Sequence, residues 1–450
     1  MLGATGDLAV KKLFPALVEL TNTCAGGNPF HFIAVARKPY STAAYRDWLL
    51  QELEQVGLPK DIVNAYINHI TYISCDVTQL ETVTEILDTI KKVDREHAIV
   101  HNKLYYFALP PAVTQATISE LINQNFVSLC DNQNSFTRVF VEKPYGTDLA
   151  SAKKLDQLLC SSLDESQVYR VDHYLAKTTV DDIVHTRIHG DTGMLAWDTK
   201  SIDSIAINLL ETETVYDRIA LYDQIGAWRD VGQNHLLEIF ALLTLEMPKQ
   251  LSAETIRSAR ATALEQLHDA RITHLSRGQY EGYITHDEKN QTETAFELVF
   301  TLPNSSWHAT KFVLRGGKGL AKDESSAVIT FRDKESCSCA DKDTHTHKKT
   351  VTFSFLPTTT ITLSDFKVFN TTSKSVTLHD KKNLVAGDIG TPAFTSGLAY
   401  TNVLHDGFHG DQTRFVSSRE VEAAWLFADR VRTALLDTEL QIYPIGGSFS

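Results

Sequence analysis

The 450-residue chain reads as two folds in series: an α/β fold with a doubly wound, parallel, Rossmann-like sheet, then a larger α+β fold on a big, mostly antiparallel sheet with flanking helices. Three observations carry that reading. A glycine turn, Gly3-Ala4-Thr5-Gly6, runs into a helical stretch; helical and strand-like segments then alternate up to about residue 171; and after Ser201 the alternation stops and strand-like runs follow one another. Alternation implies a parallel sheet, because parallel neighbours need a crossover, whereas successive strands close through hairpins.

Taken in order, Ala4 to about Leu20 is a phosphate-type loop and its helix. A polar turn with Asn22, Gly26, Gly27 and Asn28 follows, then an apolar strand, His31–Ala36. Helical spacing at Ala43–Val56 and Leu80–Val93 alternates with strands at Ile70–Ser74, Leu104–Leu109 and Arg138–Val141. Later strands are expected at Ile202–Leu210, Ala295–Leu302, Lys311–Leu314, Ala327–Phe331 and Val351–Phe355, with Gln233–Leu245 as a helix beside them. The boundary is placed at Val171, giving domains 1–171 and 172–450 with no flexible linker and no internal repeat. A dinucleotide fold leads into its glycine loop through an apolar strand of about five residues. Only Met1 and Leu2 precede Gly3, so either the start lies upstream or the first strand is nearly absent; with everything after Gly3 intact, a truncated first strand is the expectation.

Composition sets limits on function. With 43% hydrophobic and 22% charged residues and no low-complexity tract, there is material for packed cores. A formal charge of -13 argues against nucleic acid or an anionic membrane as the main partner, so an anionic ligand has to be held by local cations. No apolar run approaches the roughly 20 residues of a membrane span, and the longest, Leu236–Leu245, contains Glu238. The first residues do not read as a signal peptide, and six cysteines in so long a chain do not make a disulfide framework. A cytoplasmic, reduced protein is expected.

The densest chemistry lies in Arg170-Val171-Asp172-His173-Tyr174-Leu175-Ala176-Lys177. A phosphate needs several directed donors, and His173, Tyr174 and Lys177 offer an imidazole N–H, a phenolic O–H and an ammonium, leaving Asp172 for another task. This octapeptide resembles the R-I-D-H-Y-L-G-K phosphate-binding signature of the glucose-6-phosphate dehydrogenase family, with Ala176 in place of Gly. Gly3-Ala4-Thr5-Gly6-Asp7-Leu8-Ala9 resembles that family's G-A-S-G-D-L-A, and Glu142-Lys143-Pro144-Tyr145-Gly146 its E-K-P-F-G. Arg229-Asp230-Val231-Gly232-Gln233-Asn234-His235-Leu236-Leu237 resembles R-D-V-M-Q-N-H-L-L. Weaker matches continue through Arg315-Gly316-Gly317-Lys318 to Tyr443-Pro444, so the resemblance covers essentially the whole chain.

Chemically, glycines at a strand-to-helix turn let backbone approach a pyrophosphate, and the helix start adds free N–H groups and partial positive charge. Gly3, Thr5, Gly6, Asp7 and Lys12 are therefore the candidate cofactor residues, although a G-x-x-G loop alone is weak evidence. At the end of the second strand a carboxylate would hold the ribose of NAD and a cation the extra phosphate of NADP. Arg37 stands there and matches the family's arginine, which implies NADP. The resemblance further implies that Lys143 touches both substrate and cofactor, with a cis peptide before Pro144. It implies that His235 is the general base with Asp172 as its carboxylate partner, a histidine suiting the task because its pKa lies near working pH. Glu211 and Asp230 then match the carboxylates that receive sugar hydroxyls, His173, Tyr174 and Lys177 the 6-phosphate site, and Lys318 a substrate lysine from the sheet domain.

Together these imply oxidation of glucose 6-phosphate to its lactone by an NADP-dependent dehydrogenase, the first step of the oxidative pentose phosphate pathway, in a homodimer or homotetramer. Two other readings stand beside it. A sugar dehydrogenase of the glucose-fructose oxidoreductase type also carries E-K-P but leaves the octapeptide unexplained. A catalytically impaired paralogue, binding NADP(H) or sugar phosphate as a sensor, is motivated by the short first strand and by Gly319-Leu320-Ala321-Lys322-Asp323-Glu324, where the family continues A-L-x-x-R/K. A second cation there requires Lys322 to substitute. The stretch after Phe355 lacks a K-x-P-G-like motif, so no structural NADP site is predicted. Cys337, Cys339, His345 and His347 form a C-x-C, H-x-H set that could converge on zinc, but the spacing is no established zinc pattern and no metal is predicted.

Overall fold

A computed structural model describes residues 1–23, 31–98, 100–127, 135–189, 196–283, 291–332, 349–356, 360–364, 367–368, 371–372, 375–377 and 399–449. The chain divides into two compact units, Met1–Ala176 with Phe394–Ser418, and Lys177–Ala393 with Arg419–Ser450.

In the first unit a short wide-turn π-helix, Ala9–Leu13, continues into α1 (Phe14–Thr23). Then come β1 (Phe32–Ala36), α2 (Thr42–Gln55), α3 (Lys60–Ile67), β2 (Ile70–Ser74), α4 (Leu80–His97), β3 (Lys103–Phe107), α5 (Pro111–Asn123), β4 (Thr137–Glu142), α6 (Leu149–Cys160) and β5 (Val168–Val171). All pairings are parallel: β1 with β2, and β3 with β4 with β5. Between β1 and β3, Leu2 makes parallel bridges to Val35 on one side and Phe107 on the other. A cavity of about 430 Å³ beside it is lined by Ile33, Val35, Ile90, Tyr105 and Phe408 among others.

The second unit opens with α7 (Thr178–His189), β6 (Ile202–Leu210), α8 (Ile219–Tyr222), a π-helix Trp228–Leu236, α9 (Leu237–Thr244) and α10 (Ala253–Glu265). Its strands continue as β7 (Arg271–Tyr280), β8 (Ala295–Thr301), β9 (Lys311–Gly317), β10 (Glu324–Phe331), β11 (Thr350–Leu356), β12 (Thr360–Ser364), β13 (Lys367–Val368), β14 (Thr371–Thr372) and β15 (Ser375–Thr377). After α11 (Ala399–His409), which belongs to the first unit, α12 (Ser418–Leu436) and β16 (Leu440–Tyr443) complete the second. The main sheet has the order β15-β12-β11-β10-β6-β9-β8-β7-β16. It is mixed: β6 pairs β9 in parallel and β16 pairs β7 in parallel, against antiparallel neighbours elsewhere. Helix α9 is mostly apolar and buried along its whole length, Glu238 and Thr244 included, and Phe240 lies edge-on to Phe312 of β9 at 5.1 Å.

A contiguous division at Val171 differs from the compact units in two ways. The first unit runs on to Ala176, and it takes α11 from far along the chain. The physical reason is aromatic packing. Tyr400, Val403, Leu404 and Phe415 join Phe140, Tyr169 and Ala176 in one buried cluster. Phe415 meets Tyr169 edge-on at 4.7 Å, and Gly407 comes so close to Phe140 that a side chain there would collide with the ring.

Candidate active site

In the first unit, the glycine loop turns at Gly3, whose φ of +89° a residue with a side chain adopts only under strain. A Cβ there would strike the Ala108 carbonyl. The loop is tied down from two directions. Tyr45 of α2 donates to the Ala4 carbonyl at 2.9 Å and stacks on Tyr72 of β2 at 4.2 Å. Tyr72 in turn donates to the carbonyls of Lys38 at 2.6 Å and Ala36 at 3.1 Å. A two-tyrosine stack thus fixes the strand end carrying Arg37 relative to the glycine loop. Gly6, Asp7, Lys12 and Arg37 are exposed and Thr5 is half-buried. Asp7 pairs with Lys11 at 2.8 Å. Near Arg37, hydrogen bonds from Thr78 and, to a lesser extent, the arginine's charge hold the Asp76 carboxyl below its usual range. Exposed backbone at a helix start, with the cations Lys12 and Arg37, suits the phosphates of a dinucleotide.

At the carboxyl end of β4, Glu142 closes the strand and Lys143 follows it, and the Lys143–Pro144 peptide is cis. The octapeptide starts in β5 and passes into a turn. Arg170 is buried and committed to Asp156 and Glu165, which makes it an anchor for the strand rather than a ligand donor. Asp172 is buried, and its carboxylate accepts from the Tyr174 backbone N–H at 2.9 Å, shaping the turn that presents His173 and Tyr174. These two rings lie 5.1 Å apart. Ala176, where the family pattern has Gly, is fully buried, and its carbonyl accepts from Asn402 of α11 at 2.8 Å.

In the second unit, β6 and β9 run in parallel register, with Leu210 opposite Gly317, so Glu211 and Lys318 leave the sheet side by side. The Lys318 ammonium hydrogen-bonds Glu211 and lies 3.7 Å from Asp230. Its backbone is fixed from both sides, donating to the Thr294 carbonyl at 2.9 Å and accepting from Tyr443 at 2.6 Å. Asp230 and His235 share the π-helix, and His235 is buried. Asn234 shapes that wide turn, its amide donating to the carbonyls of Asp230 at 3.0 Å and Arg229 at 3.2 Å and its oxygen accepting from the His235 N–H at 2.7 Å. π-Turns of this kind recur at functional sites. Gly232, in place of the family's Met, leaves room for the fully buried indole of Trp228. Lys177 is half-buried at the start of this unit. Lys322 is exposed and pairs with Glu324 at 2.6 Å.

Comparison with known proteins matches both units in sequence. The model described as "Glucose-6-phosphate dehydrogenase, NAD binding domain" matches residues 1–182, and "Glucose-6-phosphate dehydrogenase, C-terminal domain" matches 187–448. The chain belongs to the glucose-6-phosphate dehydrogenase family. Relatives include the glucose-6-phosphate 1-dehydrogenases of Chlamydia muridarum, 28% identical over 99% of this chain and 90% of that protein, and of Bacillus subtilis, 27% identical over 96% and 90%. The cytoplasmic isoform of Solanum tuberosum is 29% identical over 94% and 83%. Among solved structures, a glucose-6-phosphate dehydrogenase in complex with its substrate glucose-6-phosphate superposes with a TM-score of 0.81 at 26% identity, over 100% of this chain and 94% of that one. The Mycobacterium avium enzyme gives 0.77 at 26%, over 99% and 94%.

Sequence reasoning missed the Tyr45–Tyr72 stack, the Trp228–Gly232 pair and the phenols around Glu142. A glycine replacing Met beside a tryptophan one helical turn away was the available signal for the second. The Cys337, Cys339, His345, His347 set lies outside the described residues, as does part of the stretch after Phe355. No described helix is long and apolar enough to cross a membrane.

Proposed function

We propose that the protein oxidises D-glucose 6-phosphate to 6-phospho-D-glucono-1,5-lactone with NADP, in the cytoplasm and as a homodimer or homotetramer. The observation that carries the reading is the convergence of Lys318 on Glu211 and Asp230, on the helix that also bears His235, within a chain matched along its length by the family's two domains. A lysine flanked by two carboxylates suits a polyol, since each carboxylate accepts from hydroxyls while the ammonium donates to their oxygens.

Gly3, Thr5, Gly6, Asp7, Lys12 and Arg37, with Lys143, would hold the dinucleotide, which when bound supplies the acceptor for the hydride from C1. His173, Tyr174 and Lys177 take the 6-phosphate. Glu211, Asp230, Lys318 and Lys143 orient the ring. His235 takes the proton of the C1 hydroxyl, and Asp172 is assigned as the carboxylate that favours the resulting imidazolium. With the hydroxyl proton and the hydride both gone, C1 becomes the lactone carbonyl.

The test measures formation of the reduced cofactor with glucose 6-phosphate and NADP, beside NAD, unphosphorylated glucose and His235→Ala. Turnover that requires the phosphate and falls about 10²–10⁴-fold in His235→Ala is expected. A folded protein that binds NADP yet gives no turnover would overturn the enzyme assignment and leave a sensor.

A further inference from the structure

Glu142 precedes the lysine of the E-K-P motif and has no assigned task, yet three segments of the first unit meet at its carboxyl. Tyr106, on β3, donates to it at 2.5 Å. Tyr400, on α11, hydrogen-bonds it as well. Across the β4–β5 ladder Glu142 faces Val171, directly before Asp172 and His173. The Tyr400 ring lies nearly parallel to His173, 11° off plane with centroids 6.1 Å apart. One carboxyl therefore joins the backbone that presents Lys143 to the ring that backs His173, through a phenol delivered from the far end of the sequence.

We propose that Glu142 is a positioning residue, its carboxyl clamped by Tyr106 and Tyr400 so that Lys143 and the Asp172–His173 turn are held in one working arrangement. This rests on the assignment of Lys143, Asp172 and His173 made above.

Titration adds a second property. Glu142 keeps some exposed surface, but its carboxyl is engaged by two buried phenols, and desolvation pushes it up to about 7. The two tyrosine hydrogen bonds and the charge of Lys143 oppose that rise, and the charge of Asp172 adds to it. The groups facing the carboxyl are thus Tyr106 from β3, Tyr400 from α11, Lys143 beyond β4 and Asp172 beyond β5, with Tyr145 against Tyr106. Near neutral pH the clamp exchanges between a neutral and an anionic form.

The sign for stability follows. The folded chain holds this proton where the unfolded chain has lost it, so Glu142 favours folding fully below pH 4.5, and that contribution is lost as pH rises to about 7.

The test compares full-length wild type, Glu142→Gln and Tyr400→Phe in two assays: pH profiles of kcat/KM for glucose 6-phosphate, and melting temperature against pH without ligand. Glu142→Gln is expected to lose roughly 10–100-fold in kcat/KM, to lose an ionisation near neutrality, and to show a melting temperature that falls less steeply than the wild type's between about pH 4.5 and 7. Tyr400→Phe keeps its ring against His173 but removes a donor to the anion, so its ionisation moves to higher pH. Variants with wild-type profiles in both assays, while wild type turns over, overturn the positioning role alone. Absence of phosphate-dependent turnover in wild type overturns the functional assignment first. If Glu142→Gln does not fold, Tyr400→Phe decides the matter by the same profiles.

Discussion

Gly232→Ala isolates the site's dependence on one missing side chain. A Cβ at this position would lie 2.7 Å from Cζ3 of Trp228 and closer still to Cε3, where ordinary contact begins at 3.4 Å. Something must give by roughly an ångström. The indole has little freedom: it is fully buried, its N–H donates to the Ala428 carbonyl at 3.0 Å, and Phe296 meets it edge-on at 5.1 Å. Overpacking costs about 1–3 kcal/mol, and an ångström of collision against a pinned ring belongs at the upper end. At about 2–4 °C per kcal/mol for a unit of this size, the melting temperature falls by roughly 6–12 °C. The same displacement acts on the π-helix holding Asp230 and His235, and misplacement on that scale costs about 100-fold in rate. Calorimetry and kcat/KM on the purified variant read both effects. Adding Trp228→Leu makes room for the Cβ and should return part of each loss, a coupling that a double-mutant cycle measures. A Gly232→Ala protein that melts within a degree of wild type and keeps its kcat/KM would refute the reasoning.

Two further predictions concern charge. Arg260 of α10 and Glu420 of α12 form a pair at 2.5 Å with both side chains buried, so Arg260→Met should cost about 3–5 kcal/mol by leaving the Glu420 carboxylate without its guanidinium. Urea unfolding measures this; Arg260→Met with Glu420→Leu should recover most of the loss, and an unchanged midpoint in the single variant would count against the pair. At the end of β1, Arg37→Ala should raise KM for NADP by roughly 10–100-fold, the loss of about 1.5–3 kcal/mol from a charge-assisted contact, with little change for NAD. Equal losses with both cofactors would remove Arg37 from phosphate recognition.

Periodicity exposed much of the architecture. Ile70–Ser74 and Ile202–Leu210 are strands over the span their sequence suggests, because β-branched runs bounded by polar residues leave little latitude. The parallel β6–β9 pairing was not legible. The intervening chain carries two other strands, and the choice of neighbour is made by packing across the whole sheet. Nor was α11 legible as part of the first unit, since Tyr400, Val403 and Leu404 read as the apolar face of any helix and only the waiting surface of Phe140 and Tyr169 selects them. The motifs singled out Lys143, Asp172, His173, His235 and Lys318 as site candidates through residue type and order. Glu142 stayed hidden because its environment comes from Tyr106 and Tyr400, and local sequence holds no trace of a partner so distant.

The return of α11 also sets a schedule for synthesis. More than 200 residues separate Ala176 from Ala399, and a ribosome adding about 5–20 residues per second needs roughly 10–45 s to make them. Throughout that interval the nascent nucleotide unit has its strands but lacks the helix that covers Phe140 and Tyr169. Its aromatic face stays open to water, and to neighbouring chains, until translation has passed residue 418.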